Sequence, residues 1–491
     1  MSTLTRGLLI DGKEVPSSTK ATTDDVSPWT GKVFAKIAAG TPEDVTAAVD
    51  AAAKAFPAWS EMLPYERRKI FLRAADIMEA KTEDAVATMA EEVGGARPWA
   101  AFNVGLCVEI LREAAAAVTQ PQGQVLATQM PGVSSYAKRV PYGVIAAISP
   151  WNAPFILGIR AIAVPLAVGN TVVMKPSEDA PISCGLYLAD VLKEAGLPDG
   201  VLNVVTNDPK DAGEIVSTLI ADPRVRLVNF TGSTHVGKII GIEAAKHLKP
   251  AILELGGKNA LIVLKDADIE YAVKTAVFGA YMNSGQICMS TDRVIVHRDI
   301  ADQFTAAFTE AVKGLPAGDP ADPATFVGPL VNKKSAQRCS AIIKDAIAKG
   351  AKALVGTGDI EGDEQTLIRP VLLTDVTEDM DIFYGEIFGP ATVIHVVDTT
   401  DEAVELANDT DYGLTGGVIS ENLTEALDVA NRMETGIVHV NDQGIADEPM
   451  APFGGIKNTG YGRFGGDKGV DAFSVTRWFT VQEKGRQPQY R

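Results

Sequence analysis

The apolar positions of the chain fall into two rhythms. Between residues 41 and 93 they recur at helical spacing, with Val45, Ala48, Val49, Ala52 and Phe56 on one stripe and Ile70, Ala74, Ile77 and Met78 on another. Thr41-Pro42-Glu43-Asp44 predicts the first helix start: an N-cap, a proline at the first helical position, then acids at the positive end of the helix dipole. A second helix is expected from Pro64 and a third over 83–93, so the first 120 residues read as mostly helical after a short β start. From about residue 140 the rhythm changes to short apolar runs at 144–148, 171–174, 201–205 and 227–230, each the length of a buried strand. Helical stretches separate them, at about 154–167, 181–195, 212–220 and 236–245.

Strands and helices in alternation imply parallel βαβ units, so the fold class is α/β with a doubly wound sheet. Past Glu254 the alternation restarts at 260–264, 269–282 and 291–296, which predicts a second doubly wound α/β domain. Two polar, β-prone stretches stand apart, 122–140 and the chain end from 467 to 491. Neither has enough apolar residues for a core of its own, so both are expected to pair with each other or with another subunit.

Composition narrows the classes of function. The chain has 491 residues, 45 basic and 63 acidic side chains, and a formal net charge of -18. That balance opposes nucleic acid and anionic membrane, both of which select for clustered Lys and Arg. The first dozen residues carry no apolar stretch of a signal peptide's length, and no run approaches a membrane span; a cytoplasmic enzyme is expected. Cys107, Cys184, Cys288 and Cys339 are scattered, which suits a reducing compartment. The five histidines lack metal-ligand spacing, so no metal site is expected.

Two glycine patterns compete for attention. Gly460, Gly462 and Gly465 satisfy Gly-x-Gly-x-x-Gly but follow a loop near the chain end, where a dinucleotide fingerprint would need a strand before it and a helix after it. They read as a flexible loop. Gly232, Gly237 and Lys238 nearly spell a phosphate-binding loop, but Ile239 stands where Ser or Thr would bind magnesium. The segment does follow a strand and open a helix, so its free amides can hold a pyrophosphate.

The block Asn283-Ser284-Gly285-Gln286-Ile287-Cys288 resembles the nucleophile motif of the aldehyde dehydrogenase superfamily. Glu254-Leu255-Gly256-Gly257-Lys258-Asn259 is similar to its general-base motif, at the separation that hydrolytic members have. Pro150-Trp151-Asn152, Lys175-Pro176-Ser177-Glu178, Phe230-Thr231-Gly232-Ser233, Glu386-Ile387-Phe388-Gly389-Pro390 and Pro452-Phe453-Gly454-Gly455 follow in the family's order, over about 149–466. The resemblance implies a Rossmann-like cofactor domain over 1–121 and 141–253, a catalytic domain over 254–456, and oligomerisation strands at 122–140 and 467–491, in a homodimer or homotetramer. It implies that Cys288 attacks the aldehyde, that Asn152 and the Cys288 amide hold the oxyanion, and that Glu254 activates the water that hydrolyses the thioester. Lys175 is carried over to the catalytic set as well. Trp151, Lys175, Ser177, Glu178, Gly232, Ser233, Glu386 and Phe388 are expected to hold the cofactor. Glu178, just past a strand's carboxyl end, accepts from ribose hydroxyls and repels a 2′-phosphate, which favours NAD, with NADP the weaker cofactor.

The substrate reading starts from Ala153, where many family members carry a bulkier group, and from Arg160, where an aromatic residue is common. With Trp99, Phe155 and Phe453 as flat walls, these predict a pocket for a ring. Together with Gly462-Arg463-Phe464-Gly465-Gly466 they resemble the branch that holds salicylaldehyde, benzaldehyde and vanillin dehydrogenases, and imply an aromatic aldehyde. Semialdehyde, aliphatic and coenzyme A-acylating dehydrogenases are alternatives within the superfamily, though acylating members lack the Glu254 equivalent. A non-catalytic protein of the same fold is the alternative outside enzymes, and the joint presence of Cys288, Glu254 and Asn152 argues against it. A cysteine hydrolase would need a histidine partner, and His297 falls in an expected strand without supporting motif.

Overall fold

The computed structural model describes residues 4–482. Its amino-terminal helices are Pro42–Glu61, Pro64–Ala80, Thr82–Val93 and Arg97–Ala117. The first begins where its sequence demands. Thr41 caps it by accepting from the Asp44 amide, and Asp44 accepts in return from the Thr41 amide at 2.9 Å and from Ser18 N at 3.1 Å. The reciprocal pair satisfies two donors that the helix end would otherwise leave orphaned, and it also ties down the N-terminal loop. These helices pack beside Pro154–Ala167, and one shared apolar core runs through Phe71, Met78, Leu111, Phe155 and Ile162.

The first large sheet has eight strands. Its five central members are parallel and lie in the order Ala251–Glu254, Val225–Thr231, Val144–Ser149, Thr171–Pro176 and Leu202–Val204. Val144–Ser149, Thr171–Pro176 and Leu202–Val204 are buried along their whole length, which is why they read as unbroken apolar runs. The chain builds outward from Val144–Ser149 in one direction, then returns to place Val225–Thr231 on its other side. That reversal opens a crevice at the carboxyl ends of these two strands, the position at which doubly wound sheets bind ligands. Antiparallel strands close both edges, Leu8–Ile10 with Lys13–Val15 at one and Gly460–Tyr461 at the other.

The second large sheet has seven strands, in the order Lys352–Val355, Val371–Thr374, Ala391–Val397, Thr291–His297, Asn259–Val263, Thr415–Ile419 and Ile437–Val440, all parallel except the first. A third sheet pairs Ser474–Gln482 antiparallel with Val133–Pro141, and that strand with Gly123–Leu126. The two polar stretches therefore meet each other. The expectation of strand from residue 467 needs correcting: Gly466–Ala472 is a helix, and the strand starts only at Ser474. The remainder of that stretch, 483–491, lies outside the described residues, as do residues 1–3. Gly460, Gly462 and Gly465 also differ from expectation. They do not form a flexible loop, because Gly460–Tyr461 is pinned to Leu253 and Glu254, and a side chain on Gly462 would meet Ile252 at 2.7 Å.

Asp44→Ala removes the acceptor for two backbone amides and should lower stability by about 1–2 kcal/mol. The urea midpoint for loss of helical ellipticity measures it, and Asp44→Asn should recover part of the loss.

Candidate active site

The crevice between Val144–Ser149 and Val225–Thr231 continues as Pro150, Trp151 and Asn152 on one side and Gly232 and Ser233 on the other. Two cavities open there and share Pro150, Thr231, Gly232 and Ser233 along their boundary. The outer one, of about 470 Å³, also takes in Lys175, Ser177 and Glu178. The inner one, of about 360 Å³, reaches Trp151, Asn152, Cys288, Glu386 and Phe388. Ser233 caps the helix Thr234–Lys246, and its hydroxyl accepts from the Val236 amide. The helix therefore presents its amino end to the boundary, where an anionic group is favoured. Lys175 and Glu178 form an ion pair, and Glu178 also accepts from Asn207 at 3.0 Å.

Cys288 follows a tight turn in which Asn283 and Ser284 both adopt left-handed backbone angles, φ 50° and 57°. Two such residues in succession are strained, and side-chain bonds hold them in place. Asn283 Nδ2 donates to the Asn152 carbonyl at 3.0 Å, Ser284 Oγ to the Gly328 carbonyl at 2.8 Å, and Gln286 Oε1 accepts from the Val331 amide at 3.0 Å. Asn152 Nδ2 donates to the Gln286 carbonyl at 3.0 Å, and an amide nitrogen has a second hydrogen to offer. The Cys288 carbonyl is fixed in turn by Asn259 Nδ2 at 2.8 Å, which also holds the Ser290 carbonyl.

Glu254 ends its strand and is 3% exposed, and neither carboxylate oxygen has a hydrogen-bond partner among the described residues. Burial without partners disfavours the charged form and pushes its pKa up to about 8. The Cys288 thiol is likewise held well above its ordinary value, first by burial and then by the negative charge of Glu254. Leu255-Gly256-Gly257 carries the chain away between two obstacles. A side chain on Gly256 would meet Glu386 at 2.6 Å, and one on Gly257 would meet the Cys288 carbonyl at 2.5 Å.

The loop bearing Glu386 and Phe388 crosses from the second sheet's side of the molecule. Lys258, fully buried, donates to the Ile382 and Gly385 carbonyls at 2.8 Å each and sits 3.3 Å from Asp292, which accepts from the Ile387 amide. Glu386 Oε1 accepts from the Gly257 amide at 3.0 Å, and burial raises its pKa to about 7. Phe388 has φ 48°, an unfavourable angle for a bulky residue, and its ring meets Trp151 edge-on at 5.7 Å.

The structure thus brings Asn152, Cys288, Trp151, Gly232, Ser233, Glu386 and Phe388 to one cavity, with Glu254 within electrostatic reach, and Lys175, Ser177 and Glu178 to its neighbour. The proposed ring pocket needs correcting. Trp99 does not line the cavity at Cys288; it is buried, stacks on Phe102, and its indole N–H donates to the Asn152 carbonyl at 3.0 Å. Phe155 is fully buried and packs edge-on against Tyr187, so it belongs to the core. Ala153 is buried at the start of its helix. Arg160 and Phe453 do stand together, the guanidinium 4.3 Å from the ring centre, beside Asp447. Arg338 and Asp447 had no signal in the sequence: Arg338 lines the inner cavity from the helix Lys333–Ala348, remote in the chain from every motif. Lys258, Asn259 and Asn283 lie inside quoted motifs, yet spacing alone assigns them no partner.

The aldehyde dehydrogenase family profile matches residues 15–479. The chain belongs to the aldehyde dehydrogenase family. It is 48% identical over 479 residues to a vanillin dehydrogenase of Pseudomonas sp. (strain HR199 / DSM 7063), covering 98% of each chain. It is 37% identical to a benzaldehyde dehydrogenase [NAD(+)] of Pseudomonas putida, covering 94% of this chain and 93% of that one. The crystal structure of a salicylaldehyde dehydrogenase from Pseudomonas putida G7, complexed with salicylaldehyde, superposes with a TM-score of 0.96 at 42% identity, over 99% of this chain and 100% of that one. This aldehyde dehydrogenase is therefore an oxidoreductase that acts on aldehydes. Among its described residues no helix is long and apolar enough to cross a membrane.

Because the Glu254 charge raises the Cys288 pKa, Glu254→Gln should move the pH profile of Cys288 alkylation to lower pH. Iodoacetamide labelling of the cofactor-free protein, read at Cys288 by mass spectrometry, measures it; an unmoved profile would contradict the coupling.

Proposed function

We propose that this aldehyde dehydrogenase oxidises an aromatic aldehyde to its carboxylic acid with NAD, through an acyl group carried on Cys288. The observation that carries the chemistry is the meeting of Cys288 and Asn152 in one cavity, with Glu254, a buried carboxylate without a hydrogen-bond partner among the described residues, in electrostatic reach. The aromatic class is supported by the vanillin, benzaldehyde and salicylaldehyde relatives.

The adjoining cavities support a dinucleotide. They form a continuous trough from Glu178 to Cys288, with a helix amino end at its middle for the pyrophosphate. Lys175, Ser177 and Glu178 would hold the adenosine ribose, Gly232 and Ser233 the pyrophosphate, and Trp151, Glu386 and Phe388 the nicotinamide end. The Glu178 carboxylate favours NAD, with NADP weaker, because it opposes a 2′-phosphate. NAD, when bound, would supply the hydride acceptor.

Glu254 takes the proton from Cys288, and the thiolate attacks the carbonyl carbon. The Asn152 amide and the Cys288 amide receive the oxygen as it gains charge, a contribution of roughly 3–4 kcal/mol per donor. Loss of hydride leaves a thioester. Glu254 gives that first proton up to solvent and then accepts one from water as the hydroxide adds to the thioester carbon, and the Cys288 thiolate departs as the acid is released. A base whose pKa stands near 8 is mostly protonated at neutral pH, so hydrolysis should quicken as pH rises through about 8.

The third sheet supports a homodimer or homotetramer. Among the described residues Ser474–Gln482 has a strand partner on one side only, and Trp478 and Val481 on it are 68% and 55% exposed, as Val125 on Gly123–Leu126 is at 81%.

A panel of benzaldehydes and short aliphatic aldehydes, run with NAD and NADP, tests the reading. Benzaldehydes with NAD should be fastest, and Glu254→Gln should slow turnover by roughly a hundredfold or more and leave the acyl mass on Cys288. Faster oxidation of aliphatic aldehydes, or acylation elsewhere, would overturn it. Trp478→Glu places a charge in the exposed apolar face and should reduce the mass seen by sedimentation.

A further inference from the structure

Beyond the reacting cavity the helix Pro154–Ala167 carries Arg160, whose side chain is only 9% exposed, in an ion pair with Asp447, whose side chain is 5% exposed. The guanidinium lies over Phe453 at 4.3 Å and approaches Phe464 at 5.8 Å. The pair engages one Asp447 oxygen, Oδ2. The other, Oδ1, is buried and has no hydrogen-bond partner among the described residues. A carboxylate oxygen stripped of water and left unpaired is unfavourable, and such groups in folded proteins mark a place that something else fills. Arg160, Asp447, Phe453 and Phe464 border a cavity of about 20 Å³, room for one water-sized group. Leu157, one helical turn before Arg160 on the same helix, lines the cavity at Cys288, which sets this recess one turn beyond the reacting cavity.

We propose that Asp447 is a specificity residue: its free Oδ1 accepts a hydrogen bond from a hydroxyl on the aromatic ring of the substrate, while the carbonyl carbon is held at Cys288. This rests on the aromatic reading and narrows it to hydroxylated benzaldehydes. Phe453 and the Arg160 guanidinium provide flat surfaces for the ring. Arg160 fixes the carboxylate by one oxygen and leaves the second directed to a donor. A phenolic hydroxyl donates to it, and a fluorine of similar size does not.

The test compares kcat/KM for each of the three hydroxybenzaldehydes with the fluorobenzaldehyde substituted at the same position. In the unmodified enzyme at least one hydroxy compound should exceed its fluoro counterpart by about tenfold or more. Asp447→Asn turns its amide oxygen to Arg160 and its NH₂ to the ligand, reversing the polarity offered. The hydroxy-to-fluoro ratio should then fall to within about twofold of unity, and Asp447→Ala should do the same. Ratios are read, so a general loss of activity or electronic effects of the substituents do not imitate the result. Near-equal rates for every pair in the unmodified enzyme, which needs no variant to fold, would overturn the proposal, as would a ratio that survives both substitutions. Preference for aliphatic aldehydes over all benzaldehydes would instead defeat the aromatic reading itself.

Discussion

Glu254 is a buried carboxylate without a hydrogen-bond partner among the described residues, within electrostatic reach of the half-buried Cys288 thiol. Burial disfavours the charged form of both, the Glu254 charge raises the Cys288 pKa further, and no hydrogen bond among the described residues relieves Glu254. Leaving a polar group in this state costs roughly 1–3 kcal/mol, and the surrounding structure is built to sustain it. Gly256 and Gly257 let the chain pass where any side chain would strike Glu386 or the Cys288 carbonyl. Asn259 fixes that carbonyl, and Asn283 braces the strained turn before it against Asn152. The unmet capacity of Glu254 is what makes it ready to take a proton from whatever enters.

The two sheets divide this work. The first supplies a crevice where its strand order reverses, and hence the surfaces around Trp151, Asn152 and Ser233. The second, through Thr291–His297 and Ala391–Val397, positions the loops that carry Cys288, Glu386 and Phe388. Lys258 links them. It sits at the start of the second sheet, directly after the glycine pair, and its ammonium is bound to the carbonyls that precede Glu386. A buried cation held by two carbonyls and Asp292 is a rigid joint, because releasing it would strand a charge away from water.

Much of this was legible in the residues. Proline and the N-cap at Thr41 set a helix start, and Pro154 another, because a fixed backbone angle and a capped amide act within a few positions. The uninterrupted apolar runs announced parallel strands for the same local reason. The motifs around Cys288 and Glu254 were visible, but the absence of any partner for Glu254 was not, since what surrounds a side chain is decided by distant segments. Trp99 was read for its flat ring, whereas in the fold its N–H is what matters. The turn at Ile182–Leu186 is π-helical although its periodicity resembles any amphipathic helix. Arg338 reaches the inner cavity from a helix outside every motif, and Asp447 meets Arg160 from just ahead of Pro452-Phe453-Gly454-Gly455, so only the tertiary fold gives either its neighbours.

The pairing of Gly460–Tyr461 with Leu253 and Glu254 has a bearing on how the molecule is made. The strand that ends in the base is exposed along one side until a segment near the far end of the polypeptide arrives to cover it. During synthesis on a ribosome, the earlier strands can assemble long before that segment emerges. A nascent chain would therefore contain Glu254 well before the strand that flanks it, so the base takes its final setting only once residues 460–461 have emerged.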